Sequence, residues 1–187
     1  MLDLFWDEEK GIFYDTGLDH DDLLILRPRD IGDNAMPCGS SMAADILLRL
    51  SVLLDEPDYR RSAASSLKSV QEFMSRAPEG AGKWLSALDF YLSSPHEIAI
   101  VGPLDQDATQ ALLDAVHNTY LPNKVLAGYN PLDPDQFPNI PLLEDKDMRN
   151  GSPTAYVCQN YVCQQPVTEP EALAQQLASP GGFTLMP

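Results

Sequence analysis

Basic residues are scarce: the 187-residue chain holds 12 lysines and arginines against 28 aspartates and glutamates, a formal charge of −16. That acidic excess excludes a nucleic-acid partner, whose phosphates would be repelled, and disfavours an anionic membrane surface for the same reason. The charge is also not concentrated. Residues 1–95 carry 9 basic and 17 acidic side chains and residues 96–187 carry 3 and 11, so no acidic tail stands out as an interaction arm. Cysteine is rare as well: Cys38, Cys158 and Cys163 are too few, and odd in number, for the disulfide framework of a small secreted domain. The three histidines, His20, His96 and His117, show no ligand spacing near the cysteines, so no metal site is expected, and no cofactor. Long apolar runs are missing too. The longest, Met42 to Leu54, is broken by Asp45 and Arg49, so no bilayer-spanning segment is expected. The first nine residues carry Asp3, Asp7, Glu8 and Glu9 where a signal peptide would be basic, which makes the cytoplasm the expected location.

What is present suits a globular chain, with 44% hydrophobic and 21% charged residues. A chain of this size can bury roughly 70% of its unfolded surface. Up to Pro95 the periodicity is helical. Ala43, Ile46, Leu47, Leu50, Leu53 and Leu54 repeat at i, i+3, i+4 and i+7 and predict one apolar stripe on a helix that stops at Asp55-Glu56-Pro57. Proline at the first position then opens a second helix, with Tyr59, Ala63, Leu67, Val70, Phe73 and Met74 inward, ending near Ala77-Pro78. A third carries Trp84, Leu85, Leu88, Tyr91 and Leu92. Short connections predict antiparallel helical hairpins, preceded by a strand or hairpin within Gly11 to Leu26.

After Pro95 the signals alternate, and eleven of the 16 prolines lie there. Ile98 to Val101 is a continuous apolar run ended by Gly102-Pro103, as in a buried strand. A helix over Asp105 to Tyr120, a strand at Val125 to Ala127, a proline-punctuated loop from Tyr129 to Gly151 and two close strands, Thr154 to Cys158 and Tyr161 to Gln164, follow. The capping box Thr168-Glu169-Pro170-Glu171 launches a last helix through Leu177. The expected boundary therefore divides residues 1–95, helical, from residues 96–187, a small α/β unit, and the fold class is α+β. Cys158 and Cys163 are expected as buried free thiols, although a disulfide across a tight hairpin and a metal half-site also fit their spacing. Cys38 has no identifiable base and is not expected to be a nucleophile.

Six ordered segments carry a resemblance: Phe13-Tyr14-Asp15-Thr16, Leu26-Arg27-Pro28-Arg29-Asp30, Asp33-Asn34-Ala35-Met36-Pro37, Glu97-Ile98-Ala99-Ile100-Val101-Gly102, Tyr120-Leu121-Pro122-Asn123-Lys124 and Pro153-Thr154-Ala155-Tyr156-Val157-Cys158. From Gly11 to Leu177 the chain resembles the C-terminal part of the YyaL-like / spermatogenesis-associated protein 20 family. The resemblance implies a thioredoxin-like domain, a six-hairpin (α/α) toroid like those of glycosidases and sugar epimerases, and a C-terminal extension. This chain would then hold the last toroid hairpins and that extension, whether as a natural short protein, a split gene product or a fragment. Within the extension, Ser152-Pro153-Thr154 and the following strand resemble the cis-proline strand of thioredoxin-like folds, while Gly102 to Asp107, where a redox motif would stand, has no cysteine.

The resemblance also places Pro37-Cys38-Gly39-Ser40-Ser41 where the family has Pro-Ser-Gly-Asn-Ser ahead of a toroid helix facing the cavity. Asp15, Arg27, Asn34 and Ser40 are then candidate saccharide-binding residues, and Asp30 and Asp33 candidate catalytic carboxylates if one of them is desolvated. The competing reading pairs Arg27 with Asp30 and lets Ser40 or Ser41 cap the helix. The expected function is a non-catalytic structural or protein-interaction module, with a protein partner or self-association covering its helical faces. The isolated chain is not expected to be active. The alternative is part of a carbohydrate-active enzyme, glycosidase- or epimerase-like, completed by the missing hairpins and binding a saccharide.

Overall fold

The fold is a computed structural model that describes residues 1–20, 26–133 and 140–178. Among these residues are seven α-helices and two small sheets, so the chain is mixed α+β. It divides into two compact units, Met1–Ser51 with Glu56–Ser93 and Val52–Asp55 with the residues from Ser94 onward. No helix among the described residues is long and apolar enough to cross a membrane.

In the first unit, the short helix α1 (Leu2–Phe5) leads into a two-stranded antiparallel hairpin, β1 (Trp6–Asp7) and β2 (Ile12–Phe13). The expected strand region thus begins earlier in the chain, because Gly11 at φ 66° makes the turn. Residues 21–25 of the expected hairpin region lie outside the described residues. Then come α2 (Gly39–Leu53), α3 (Pro57–Ser69), α4 (Gln71–Arg76) and α5 (Gly82–Leu92). The single helix expected from Pro57 to Ala77 is broken at Val70, whose φ −113° and ψ 11° leave the helical region.

Two stripes are rotated from their expected positions. On α2 the buried apolar residues are Ala43, Ala44, Leu47 and Leu48, together with Asp45 and Ser51, while Ile46 is 40% exposed. On α5 they are Trp84, Ala87 and Phe90, while Leu85 and Leu92 are exposed. Asp45 takes a buried position that hydrophobicity alone would not give it, and there it pairs with Arg49 and Lys83.

The second unit is a four-stranded sheet of order β4-β3-β5-β6, built from β3 (His96–Val101), β4 (Lys124–Tyr129), β5 (Thr154–Gln159) and β6 (Val162–Cys163). Strand β3 runs parallel to β4 through the crossover helix α6 (Asp107–Asn118) and antiparallel to β5, and β5 turns tightly into β6. Helix α7 (Pro170–Ala178) ends the described chain. One sheet face buries Ile98, Ile100, Ala155 and Val157 against Leu112, Val116, Leu173 and Leu177 of α6 and α7. Ala99, Val101 and Tyr156, which alternate with these, are buried as well, as are Leu142 and Leu143 of a 3-10 turn. Burial on both faces explains the unbroken apolar run of β3. Gly102 is required where β3 ends, since a Cβ there would lie 2.8 Å from Pro153 and from Thr109.

One local expectation is corrected. Cys158 and Cys163 are joined by a disulfide, and only Cys158 is buried, because adjacent strands place them on opposing rungs of the β5–β6 ladder. The Ser152–Pro153 bond is trans, there being no cis peptide among the described residues.

Candidate functional site

The sequence-predicted site residues fall in the first unit, and Asp33 bonds to the starts of two helices. Its carboxylate Oδ1 accepts hydrogen bonds from the Cys38 backbone N–H (3.0 Å) and the Ser41 hydroxyl (2.7 Å), at the start of α2. Its Oδ2 accepts from the Lys83 and Trp84 backbone N–H groups (2.8 and 3.2 Å), at the start of α5. The first N–H groups of a helix have no partner within it, so one carboxylate caps two helices at their positive ends. Burial alone would raise the Asp33 pKa; the hydrogen bonds from Ser41, Cys38, Lys83 and Trp84 outweigh it and hold the group below the usual carboxylate range.

The other candidates make separate contacts. Asp15, exposed, accepts the Asp30 N–H through Oδ2 (2.6 Å). Asp30, also exposed, accepts the Gly32 N–H through Oδ1 (2.9 Å). Arg27 donates to the carbonyls of Leu4 and Thr16 (3.0 and 2.6 Å) and lies 4.2 Å from the centre of the Tyr14 ring. Arg27 forms no ion pair with Asp30. Asn34 is exposed, with its backbone N–H bonded to the Met36 carbonyl. Ser40 is buried and donates to the Phe13 carbonyl (3.4 Å). Neither Ser40 nor Ser41 caps α2; Asp33 does, and the Cys38 sulfur accepts the Ser41 N–H (3.4 Å). Cys38 itself is a buried free thiol.

One cluster escaped the sequence reading. Asp45, 4% exposed on α2, receives both Arg49 Nε (3.0 Å) and Lys83 Nζ (2.7 Å) on Oδ2. Its Oδ1 is buried with no hydrogen-bond partner among the described residues. Arg49 also lies 4.7 Å over the Phe90 ring. Burial would raise the Asp45 pKa, but hydrogen bonds and charge from Arg49 and Lys83 prevail and lower it. The Asp45–Arg49 spacing of i, i+4 was the available signal; Lys83, far away in sequence, gave none.

Chemically, this arrangement holds helices together. Asp33 accepts from four donors, and those hydrogen bonds favour its ionised form. Asp45 is likewise charged and paired.

The chain is 32% identical to human spermatogenesis-associated protein 20 over 176 residues, which is 93% of this chain and 22% of that protein. The rat and mouse proteins of the same name match over the same length at 32% and 31% identity. Over that stretch the chain is a homologue of the spermatogenesis-associated protein 20 proteins. It spans about a fifth of the length of these curated relatives. No family model matches the chain. No solved structure matches it either.

Proposed function

We propose that this chain is a non-catalytic structural and interaction module of its family, whose helical faces are covered by a second copy or by a companion chain. The observation that carries this reading is a set of exposed apolar side chains on helices whose other faces are buried. Met42 and Ile46 stand one turn apart on α2, 37% and 40% exposed, and Leu85 and Leu92 stand two turns apart on α5, 38% and 73% exposed. Such residues stand where an amphipathic helix would normally be polar. The commitment of Asp33 and Asp45 to capping and pairing supports a scaffold role over acid–base work. Helices α2 to α5 are read as the last hairpins of a toroid. The second unit is read as thioredoxin-like, which its parallel β3–α6–β4 step, antiparallel β5–β6 hairpin and closing α7 support, although Pro153 is trans.

Sedimentation velocity over a range of concentrations tests the proposal, followed by mixing with the remaining part of a full-length family protein. Association above the 20.6 kDa monomer, or binding to that remaining part, is expected, and Ile46→Asp with Leu85→Asp should abolish it. A monomer at every concentration that also ignores the remaining part overturns the reading.

A further inference from the structure

The second unit contains a group of reactive side chains with no part in the scaffold just described. Cys158 and Cys163 are bonded across the β5–β6 hairpin, and the two sulfurs differ in access, Cys158 being 2% exposed and Cys163 open to solvent. On the other side of β5, Glu97 of β3 stands directly opposite Cys158 in the antiparallel ladder. Facing residues of such a pair share one side of the sheet with Cβ atoms about 5 Å apart. Glu97 is 3% exposed, a depth at which carboxyl groups are rarely found unless paired. Its Oε2 accepts the Tyr161 N–H (3.1 Å) from the turn that joins the two bridged strands.

We propose that the Cys158–Cys163 bridge is a thiol–disulfide exchange site, reduced by a dithiol, with the Glu97 carboxyl as the proton donor to Cys158. A thiolate of the reductant attacks the accessible Cys163 sulfur. A mixed disulfide forms there as the Cys158–Cys163 bond breaks, and the Cys158 sulfur leaves as a thiolate that takes the Glu97 proton. The second thiol of the reductant loses its proton to solvent and attacks its own sulfur in the mixed disulfide. Cys163 leaves and is protonated by water, and Glu97 recovers its proton from water. Two electrons and two protons thus pass from the dithiol to the bridge, and the reductant departs as a disulfide.

Three features favour exchange over a purely structural staple. The bridge closes a loop of only four intervening residues, and short loops constrain the unfolded chain least. The hairpin keeps other ties: the Tyr161 N–H to Glu97, and the Tyr161 hydroxyl to Asp55 Oδ1 (2.9 Å). The core under α6 and α7 lies on the opposite sheet face. Burial raises the Glu97 pKa, against the lowering influence of the Tyr161 and Asn160 amides and of the Lys146 charge, while Asp55 raises it further. The charged and titratable groups facing Glu97 are Lys146, Asp55 and Tyr161.

The test uses the full chain in dithiothreitol redox buffers, with Cys158 and Cys163 scored by alkylation and mass spectrometry and folding followed by circular dichroism. The bridge should open while the fold persists, and Glu97→Gln should slow opening about tenfold at neutral pH. Two single-thiol variants fix the direction of attack without relying on a change at Glu97. Cys158→Ser should form a stable mixed disulfide with oxidised glutathione at Cys163, whereas Cys163→Ser should leave Cys158 unmodified. A bridge that opens only as the chain unfolds, thiols that never join under oxidised glutathione, equal modification of the two single-thiol variants, or wild-type speed in a folded Glu97→Gln would each overturn the proposal.

Discussion

Replacing Asp33 with alanine removes the shared cap of α2 and α5, and the cost can be worked from its contacts. Four donors lose their acceptor: the N–H groups of Cys38, Lys83 and Trp84 and the Ser41 hydroxyl. Loss of one side-chain cap costs about 1 kcal/mol, with a range of roughly 0.5–2. The negative charge at each helix start adds about 0.3–1 kcal/mol per helix. Two helices sharing one charged cap therefore place the loss at about 2–4 kcal/mol. For a chain of this size that corresponds to a fall in Tm of roughly 5–15 °C. Asp33→Asn retains a single acceptor oxygen and turns an NH2 toward the other helix start, so it should lose at least half as much. The pH dependence has a definite sign. Asp33 is held below the carboxylate range in the folded chain, so its contribution is complete above about pH 4, where the unfolded group ionises. It is lost as the pH falls through the folded value, and the gap between wild type and Asp33→Ala should close on acidification. Urea unfolding followed by tryptophan emission, from pH 7 downward, measures all three quantities. An alanine variant within about 0.5 kcal/mol of wild type, or an asparagine variant equal to it, refutes the double-cap account.

Two further substitutions separate stabilising polar contacts from tolerated ones. Asp45→Ala leaves Arg49 and Lys83 facing each other without their shared carboxylate. Because the two cations are partly exposed, the expected loss is about 2–3 kcal/mol, under the roughly 3–5 typical of a fully buried pair, as read by urea denaturation. Thr109→Val moves the other way. Thr109 is 1% exposed, and its buried hydroxyl has no hydrogen-bond partner among the described residues. Its removal at constant volume should leave thermal stability unchanged or raise it by up to about 1–2 kcal/mol.

Features that depend on near neighbours in sequence were legible before the fold was known. The apolar run of β3 and the prolines that open α3 and α7 each carry their physical cause within a few residues. Features set by distant contacts were not. Nothing near Asp33 announces that it caps a helix fifty residues away, since α5 begins at Gly82 with no side-chain cap of its own. The rotation of the α2 stripe has the same origin, because the burial of Asp45 is compensated by Lys83 from another helix. Val70 broke a pattern whose apolar spacing ran on regardless, periodicity being blind to a single residue that leaves helical geometry. The cysteine pair failed differently: its spacing admitted three states, and strand register, which composition does not encode, selected one of them.

The outer margin of the second unit's sheet bears on how this protein avoids unwanted company. Among the described residues, what lies beyond β5 is the two residues of β6, the Gln164 N–H on the Val157 carbonyl, and Val167 paired with Ala155, with no long strand. A stranger's extended segment would find isolated rungs there, already claimed by the protein's own chain and interrupted by a sharp turn. Template-driven growth of the sheet on that flank is therefore suppressed without a single guarding lysine or proline in β6, by brevity alone.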